Sequence, residues 1–526
     1  WLAARGQGPA HSRGFRFIPH EGKNTVHPVE LLPGVYRFDD TCNVYAITNG
    51  RGTIAVDFGS GRWLSALRRL KLPPLEHVFI THHHADQCEG LLARDDWPFA
   101  IHAPAGEKAM LEPAAVDEFW RTRRAGGVPR SYIPLRRGLP AASFDMAGWS
   151  DLFWGQVRVR FIDTPGHGSG AVSVLLDAGG GQVVFCGDAA HAGAAIWQPY
   201  HLEWDHWTGS GALQAWEGVQ RLLGIGIDLL CPSHGPVVTQ RIRPMLRTLA
   251  ARLLALYRAK GSICAGERDY YLTPRILACG AREVLPCLYQ FAANSYLLRS
   301  ACGDAMVIDP TRADIALLEP LLAELGDPAV TAATASHFHL DHTDGLPLLK
   351  ARHGTAIHLH PQVAEPIREI GAIDAPWLPA EPVVADHLLP RDGSWQWNEF
   401  RFRCAPLPGQ TWWHCALMTT IAGRRVLFAG DNFQPPSRWN GTGGFSSFNG
   451  SVFEEGFVES ARRIIDWRPD VVAAGHGTYV LYNERYYRKV IRWARAAEAA
   501  VKALCPSGKL EGDYYLHKLP RRRRAK

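Results

Sequence analysis

Residues 78–87 read Val-Phe-Ile-Thr-His-His-His-Ala-Asp-Gln, and residues 333–342 read Ala-Thr-Ala-Ser-His-Phe-His-Leu-Asp-His. Each is a short strand-like run delivering His-x-His-x-Asp. That pattern places three ligand-capable side chains, His82, His84 and Asp86 or His337, His339 and Asp341, within five residues. A helix would spread them around its circumference, whereas a turn after a strand can aim them at one point. Two imidazoles and a carboxylate suit zinc, iron or manganese, and a distant His with a bridging Asp would complete a dinuclear pocket.

Working outward, the rest of the chain repeats in step. Glu-Leu-Leu-Pro-Gly-Val-Tyr-Arg-Phe at 30–38 is matched by Glu-Val-Leu-Pro-Cys-Leu-Tyr-Gln-Phe at 283–291. Asn43 and Tyr45 are matched by Asn294 and Tyr296, and apolar runs then end in Asp57 and Asp309. Downstream stand Pro-Gly-His167 and Pro-Gly-Gln410, then Gly-Asp188 and Gly-Asp431, then Ser-His234-Gly and Gly-His476-Gly. His167 precedes Asp188 by 21 positions and Gln410 precedes Asp431 by 21; the step to the last histidine is 46 and 45. Two unrelated series would not agree so closely, so the chain is a tandem duplication. One histidine alone is ordinarily a surface or satisfied core residue. An ordered set of five motifs occurring twice is not.

At 526 residues the chain exceeds one compact domain. Apolar residues at 46%, charged residues at 21%, 51 Gly and 36 Pro exclude wholesale disorder and collagen-like composition. No apolar run reaches the length of a membrane span. A net charge of +6 is too small to imply nucleic acid. The eleven cysteines include no Cys-x-x-Cys pair and fit neither a disulfide framework nor a zinc ribbon. They point to free thiols in a reducing compartment, the cytoplasm. Residue 1 is Trp, so a removed targeting segment stays open.

Short Val/Ile runs bounded by Gly, Pro and Asp read as buried strands, and longer periodic stretches as helices over 212–223, 243–260, 457–467 and 484–504. Strands alternating with helices indicate a layered α/β fold. The ligand-type residues follow strands, so several can meet at one sheet edge. The expected organisation is an extension over 1–29, a first domain over 30–262, a linker over 263–282, a second domain over 283–505 and a basic tail over 506–526.

The motif set, His-x-His-x-Asp-His, Pro-Gly-His, Gly-Asp and a last His, resembles the metallo-β-lactamase superfamily over nearly all of residues 30–505. The resemblance implies two tandem αββα sandwiches. In the first, His82, His84 and His167 would hold one metal, Asp86 and His234 a second, with Asp188 bridging. In the second, His337 and His339 fall at the first position and Asp341, His342 and His476 at the second, with Asp431 bridging. Each half departs from the pattern once. Gln87 stands where the second-position histidine belongs, and Gln410 where the third first-position histidine belongs. A glutamine carbonyl can ligate but is neutral and weaker than imidazole for zinc or iron. Each half then holds one tight and one loose metal, or one half is a structural partner. His414, four residues after Gln410, is a candidate substitute ligand; packing beside Trp412 and Trp413 is the alternative.

A divalent ion lowers the pKa of bound water and polarises an acceptor oxygen, and Asp86 or Asp341 would manage the proton. The expected activity is hydrolysis of an ester, thioester, lactone or amide in a small substrate, with zinc, up to two per domain, favoured over iron or manganese. Cys186 aligns with Ala429 and reads as core. The first half has 83 positions between His84 and His167 against 71 between His339 and Gln410, and the extra length carries Arg121, Arg123, Arg124, Arg130, Arg136 and Arg137 with Tyr132. Such a loop would attract an anionic substrate. Trp197, Tyr200, Trp204 and Trp207, with Trp439, Phe445 and Phe448 in the second half, are candidate pocket walls. The interval from bridging Asp to last His is too short for the clamp domain of RNA-processing relatives, which disfavours a nuclease, and the Arg-rich tail reads as a solvated terminus. An iron-dependent oxygenase of the same fold is the alternative activity, and two purely structural sites the alternative to enzymatic function.

Overall fold

A computed structural model describes residues 27–122, 134–178, 181–197, 202, 210–260, 271–370, 377–433, 451–476 and 478–504. Arg123, Arg124, Arg130, Tyr132, Tyr200, Trp204, Trp207, Trp439, Phe445 and Phe448 lie outside the described residues, as do 1–26, 261–270 and 505–526.

Strand 43–48 shows how each half is layered. Val44 and Ala46 join the core cluster of Trp63, Ala66 and Leu67, whereas Tyr45 and Ile47 join that of Phe161, Val174 and Phe185. Successive side chains in a strand point to opposite faces, and here both faces are buried. One faces the helix Leu64–Arg69, the other a second sheet. The first half accordingly contains a seven-stranded sheet over residues 28–146 and a five-stranded sheet over residues 151–232. In the seven-stranded sheet the first strands pair antiparallel and the last four run parallel. The second half repeats the plan with eight strands over 275–388 and six over 393–481. Each half is an αββα sandwich.

The outer faces of the two smaller sheets are covered by helices Ser210–Leu223 and Ile242–Lys260 in the first half and Glu459–Trp467 and Glu484–Leu504 in the second. A widened helical turn, Phe453–Val458, precedes Glu459–Trp467, so the regular helix begins two residues after the expected start. These helices share one apolar core. Leu249, Leu253 and Leu256 from one half cluster with Val490, Ala494, Ala497 and Val501 from the other. Hydrogen bonds cross the same seam, from Trp493 Nε1 to Ala259 O at 2.6 Å and from Ile196 N to Leu504 O at 3.0 Å. Cys186 points into this core, where burial pushes its thiol far up. Among the described residues no helix is long and apolar enough to cross a membrane.

Candidate metal centres

Asp57 organises the first centre from beneath. It follows strand Thr53–Val56 with φ 59° and accepts hydrogen bonds from Thr81 N at 2.8 Å and Ser233 Oγ at 2.6 Å. One carboxylate thus ties together the loops after three strands. Burial raises its pKa to about 7 against the pull of those hydrogen bonds. Thr81 Oγ1 meets His82 Nδ1 at 3.0 Å, which leaves Nε2 for the centre. Asp309 repeats the arrangement with φ 54°, accepting from Ser336 N at 2.6 Å, and Ser336 Oγ lies 3.1 Å from His337 Nδ1.

His82, His84 and His167 meet in space, with one ring nitrogen from each within 4.8 Å of the others. Their rings stand edge to face, at 84° for His82 with His84, 89° for His82 with His167 and 74° for His84 with His167. Rings that converge on one point from separate directions adopt this arrangement. Three imidazoles with a carboxylate nearby suit a tetrahedral zinc ion. That carboxylate is Asp188, whose Oδ2 lies 3.6 Å from His82 Nε2 and 3.5 Å from His167 Nε2. The residues fit the ion.

The motifs do not single out Glu107. Fully buried, it pairs with His83 Nδ1 and accepts from Gly170 N at 2.6 Å. It therefore braces both loops that carry the three histidines. Burial opposes its charge, but His83 holds its carboxyl below the ordinary range. Phe338 stands in place of His83 in the second half and packs edge-on against Trp413 at 5.5 Å, so the pair has no repeat to reveal it. Asn294 is also more than a repeat marker. Its Nδ2 donates to Asp341 Oδ2 at 3.1 Å and its Oδ1 accepts from His476 N at 2.5 Å.

The remaining first-half residues lie alongside. His234 Nδ1 is 2.9 Å from Asp188 Oδ1 and its Nε2 is 3.1 Å from Asp86 Oδ2. Burial lowers the His234 pKa, but the two carboxylates outweigh it and bring it to about 10. Trp197 stacks on His234 at 4.6 Å and 11°. Gln87 donates to Asp188 Oδ2 at 3.3 Å.

In the second half two groups converge, His337, His339 and Asp431, and Asp341, His342, Asp431 and His476. Asp431 belongs to both. His342 Nε2 lies 3.3 Å and His476 Nε2 2.9 Å from its two oxygens. Gln410 donates to Asp431 Oδ2 at 3.4 Å. His414 is fully buried, stacked on His337 at 4.9 Å and 9°, with Nδ1 donating to Cys415 O at 3.1 Å. Burial lowers its pKa to about 3. It joins neither converging group. Of the described insertion arginines, Arg121 pairs with Glu118 and Arg137 with Asp95 at 3.0 Å.

Fold and site together define a duplicated α/β sandwich carrying His/Asp groups able to hold metal ions. The family model described as the metallo-beta-lactamase superfamily matches residues 37–234 and 288–476, and the chain belongs to that superfamily, whose members are typically metal-dependent hydrolases. Among solved structures it is similar to a subclass B3 metallo-beta-lactamase of Bradyrhizobium japonicum, at 17% identity, covering 44% of this chain and 94% of that one, with a TM-score of 0.34. A metallo-beta-lactamase family protein from Thermus thermophilus is 19% identical, over 44% of this chain and 83% of that one, with a TM-score of 0.32. No curated protein matches the chain.

Proposed function

We propose that the protein is a metal-dependent hydrolase acting on an ester, thioester, lactone or amide bond of a small substrate. The observation that carries this reading is the edge-to-face convergence of His82, His84 and His167 beside Asp188. These three histidines would hold one ion. Asp341, His342, Asp431 and His476 would hold another, with His337 and His339 facing the same Asp431. Zinc suits the histidine-rich sets. Zinc held there would lower the pKa of a water towards neutrality and polarise an acceptor oxygen.

The chain's own part is to orient and to manage protons. Asp86 is partly buried, and His234 keeps its carboxyl below the ordinary range against the effect of burial. It is therefore ionised at neutral pH and able to accept a proton from water. Asp341, with 38% of its side chain exposed and Asn294 donating to Oδ2, would serve the same task. The test is an ester, thioester, lactone and β-lactam panel, assayed before chelation, after it and after zinc is restored. Metal-dependent turnover of at least one class is expected. Turnover indifferent to chelation would count against the reading.

One observation favours a second reading. His337, His339 and Asp431 form a two-histidine, one-carboxylate group of the kind that suits ferrous iron in oxygenases. Iron content and substrate-dependent oxygen uptake in the purified protein test it.

A further inference from the structure

Each half has glutamine at one ligand position, and both glutamines make the same contact. Gln87 Nε2 donates to Asp188 Oδ2 at 3.3 Å, and Gln410 Nε2 donates to Asp431 Oδ2 at 3.4 Å. In each half an amide hydrogen faces the aspartate carboxylate. The substitutions fall at opposite positions of the two pockets, so the halves are complementary rather than equally impaired.

The last histidines separate the halves further. His476 meets both second-half carboxylates through Nε2. Its Nε2 lies 2.9 Å from Asp431 Oδ2 and 3.7 Å from Asp341 Oδ2, and His342 Nε2 meets the same two residues at 3.3 and 3.7 Å. Four ligand atoms converge there. His234 instead lies between two carboxylates with both nitrogens engaged. Nδ1 is 2.9 Å and 3.1 Å from the two oxygens of Asp188, and Nε2 is 3.1 Å from Asp86 Oδ2. Among the described residues Asp86, Asp188 and His234 form no converging group. Trp197, stacked flat on the imidazole, holds the ring in this plane, and Gln87 also reaches Asp86 Oδ2 at 3.4 Å.

We infer that the first half binds a single metal ion, at His82, His84 and His167, and that an Asp86–His234–Asp188 bridge capped by Gln87 takes the place of the second ion. The inference rests on the reading of the three histidines as a metal site. His234 is then a positioning residue: it orients Asp86 for the proton and Asp188 for the ion, and ligates nothing.

Matched substitutions in the full chain test this. His234→Gln and His476→Gln change equivalent residues in the two halves, and zinc per chain is counted by elemental analysis after loading and desalting. His234→Gln is expected to keep the wild-type zinc count, whereas His476→Gln loses zinc or retains it at least 10-fold less tightly against a chelator. Loss of one zinc from His234→Gln would overturn the inference. Asp431→Ala combined with His476→Gln, which removes the residue shared by both second-half groups and a further ligand of the larger one, is expected to leave one zinc per chain; two would likewise overturn it. Failure of the underlying site reading looks different, since His167→Ala would then leave the zinc count of the wild-type chain unchanged.

Discussion

The carboxylate of Glu107 accepts the backbone N–H of Gly170 at 2.6 Å and pairs through its other oxygen with His83, which lies between two histidines of the first centre. A single buried acid thus sets the separation of the 82–84 and 164–170 loops. Glu107→Ala leaves His83 without its partner in the interior. Removing one member of a buried pair costs about 3–5 kcal/mol, and losing the support behind metal ligands weakens metal binding about 10–100-fold. Urea denaturation and chelator competition measure the two effects, and Glu107→Gln should restore part of the stability.

Gly170 has a separate constraint. A Cβ at this position would collide with the backbone of Gly106, beside Glu107. Neither segment can yield, because the Glu107 hydrogen bond fixes their approach. Gly170→Ala should cost about 1–3 kcal/mol through overpacking and lower zinc retention with it, read from the same two titrations.

The core that joins the halves predicts shared unfolding. Leu253 is fully buried among side chains of both halves, and Leu→Ala at such a site costs about 2–5 kcal/mol. Leu253→Ala should lower the melting of the whole chain as one calorimetric transition. A split into two transitions, with the second half unmoved, would show that the halves are energetically separate.

Much of this is legible in the sequence alone. The equal spacings from His167 to Asp188 and from Gln410 to Asp431 report two copies of one strand order, and the buried strands that carry those motifs form the sheet pairs of both sandwiches. Residue type also pointed to His82, His84 and His167, which the fold brings together. Three things were not legible. The partner of a helix's apolar face is not written in its periodicity, so the joining of 242–260 to 484–504 in one core was hidden. The Glu107–His83 pair is not repeated, because Phe338 stands in place of His83 in the second half, and His83 itself reads as a filler between two ligand positions. The ring plane of His234 depends on which carboxylates flank it in space, and a motif names the imidazole without saying whether one nitrogen or two are engaged. His414 shows the converse, a histidine at suggestive spacing that burial and stacking on His337 direct into the packing.

Metal should support the fold as well as the chemistry. Ligands drawn from loops after separate strands are brought together only in the folded chain, so the free energy of binding adds to that of folding. Chelation should therefore lower the melting temperature, and His167→Ala should reduce the size of that shift. An unchanged shift in His167→Ala would assign the stabilising metal to the second half alone.

The most direct test of the central claim is to follow hydrolysis of the most active panel substrate while zinc is returned stepwise to the metal-free chain, with bound metal counted at each step. Turnover should rise in proportion to bound zinc and level off when the sites fill. Turnover that is already complete in the metal-free chain, or that stays absent at full occupancy with every substrate class, would contradict the account.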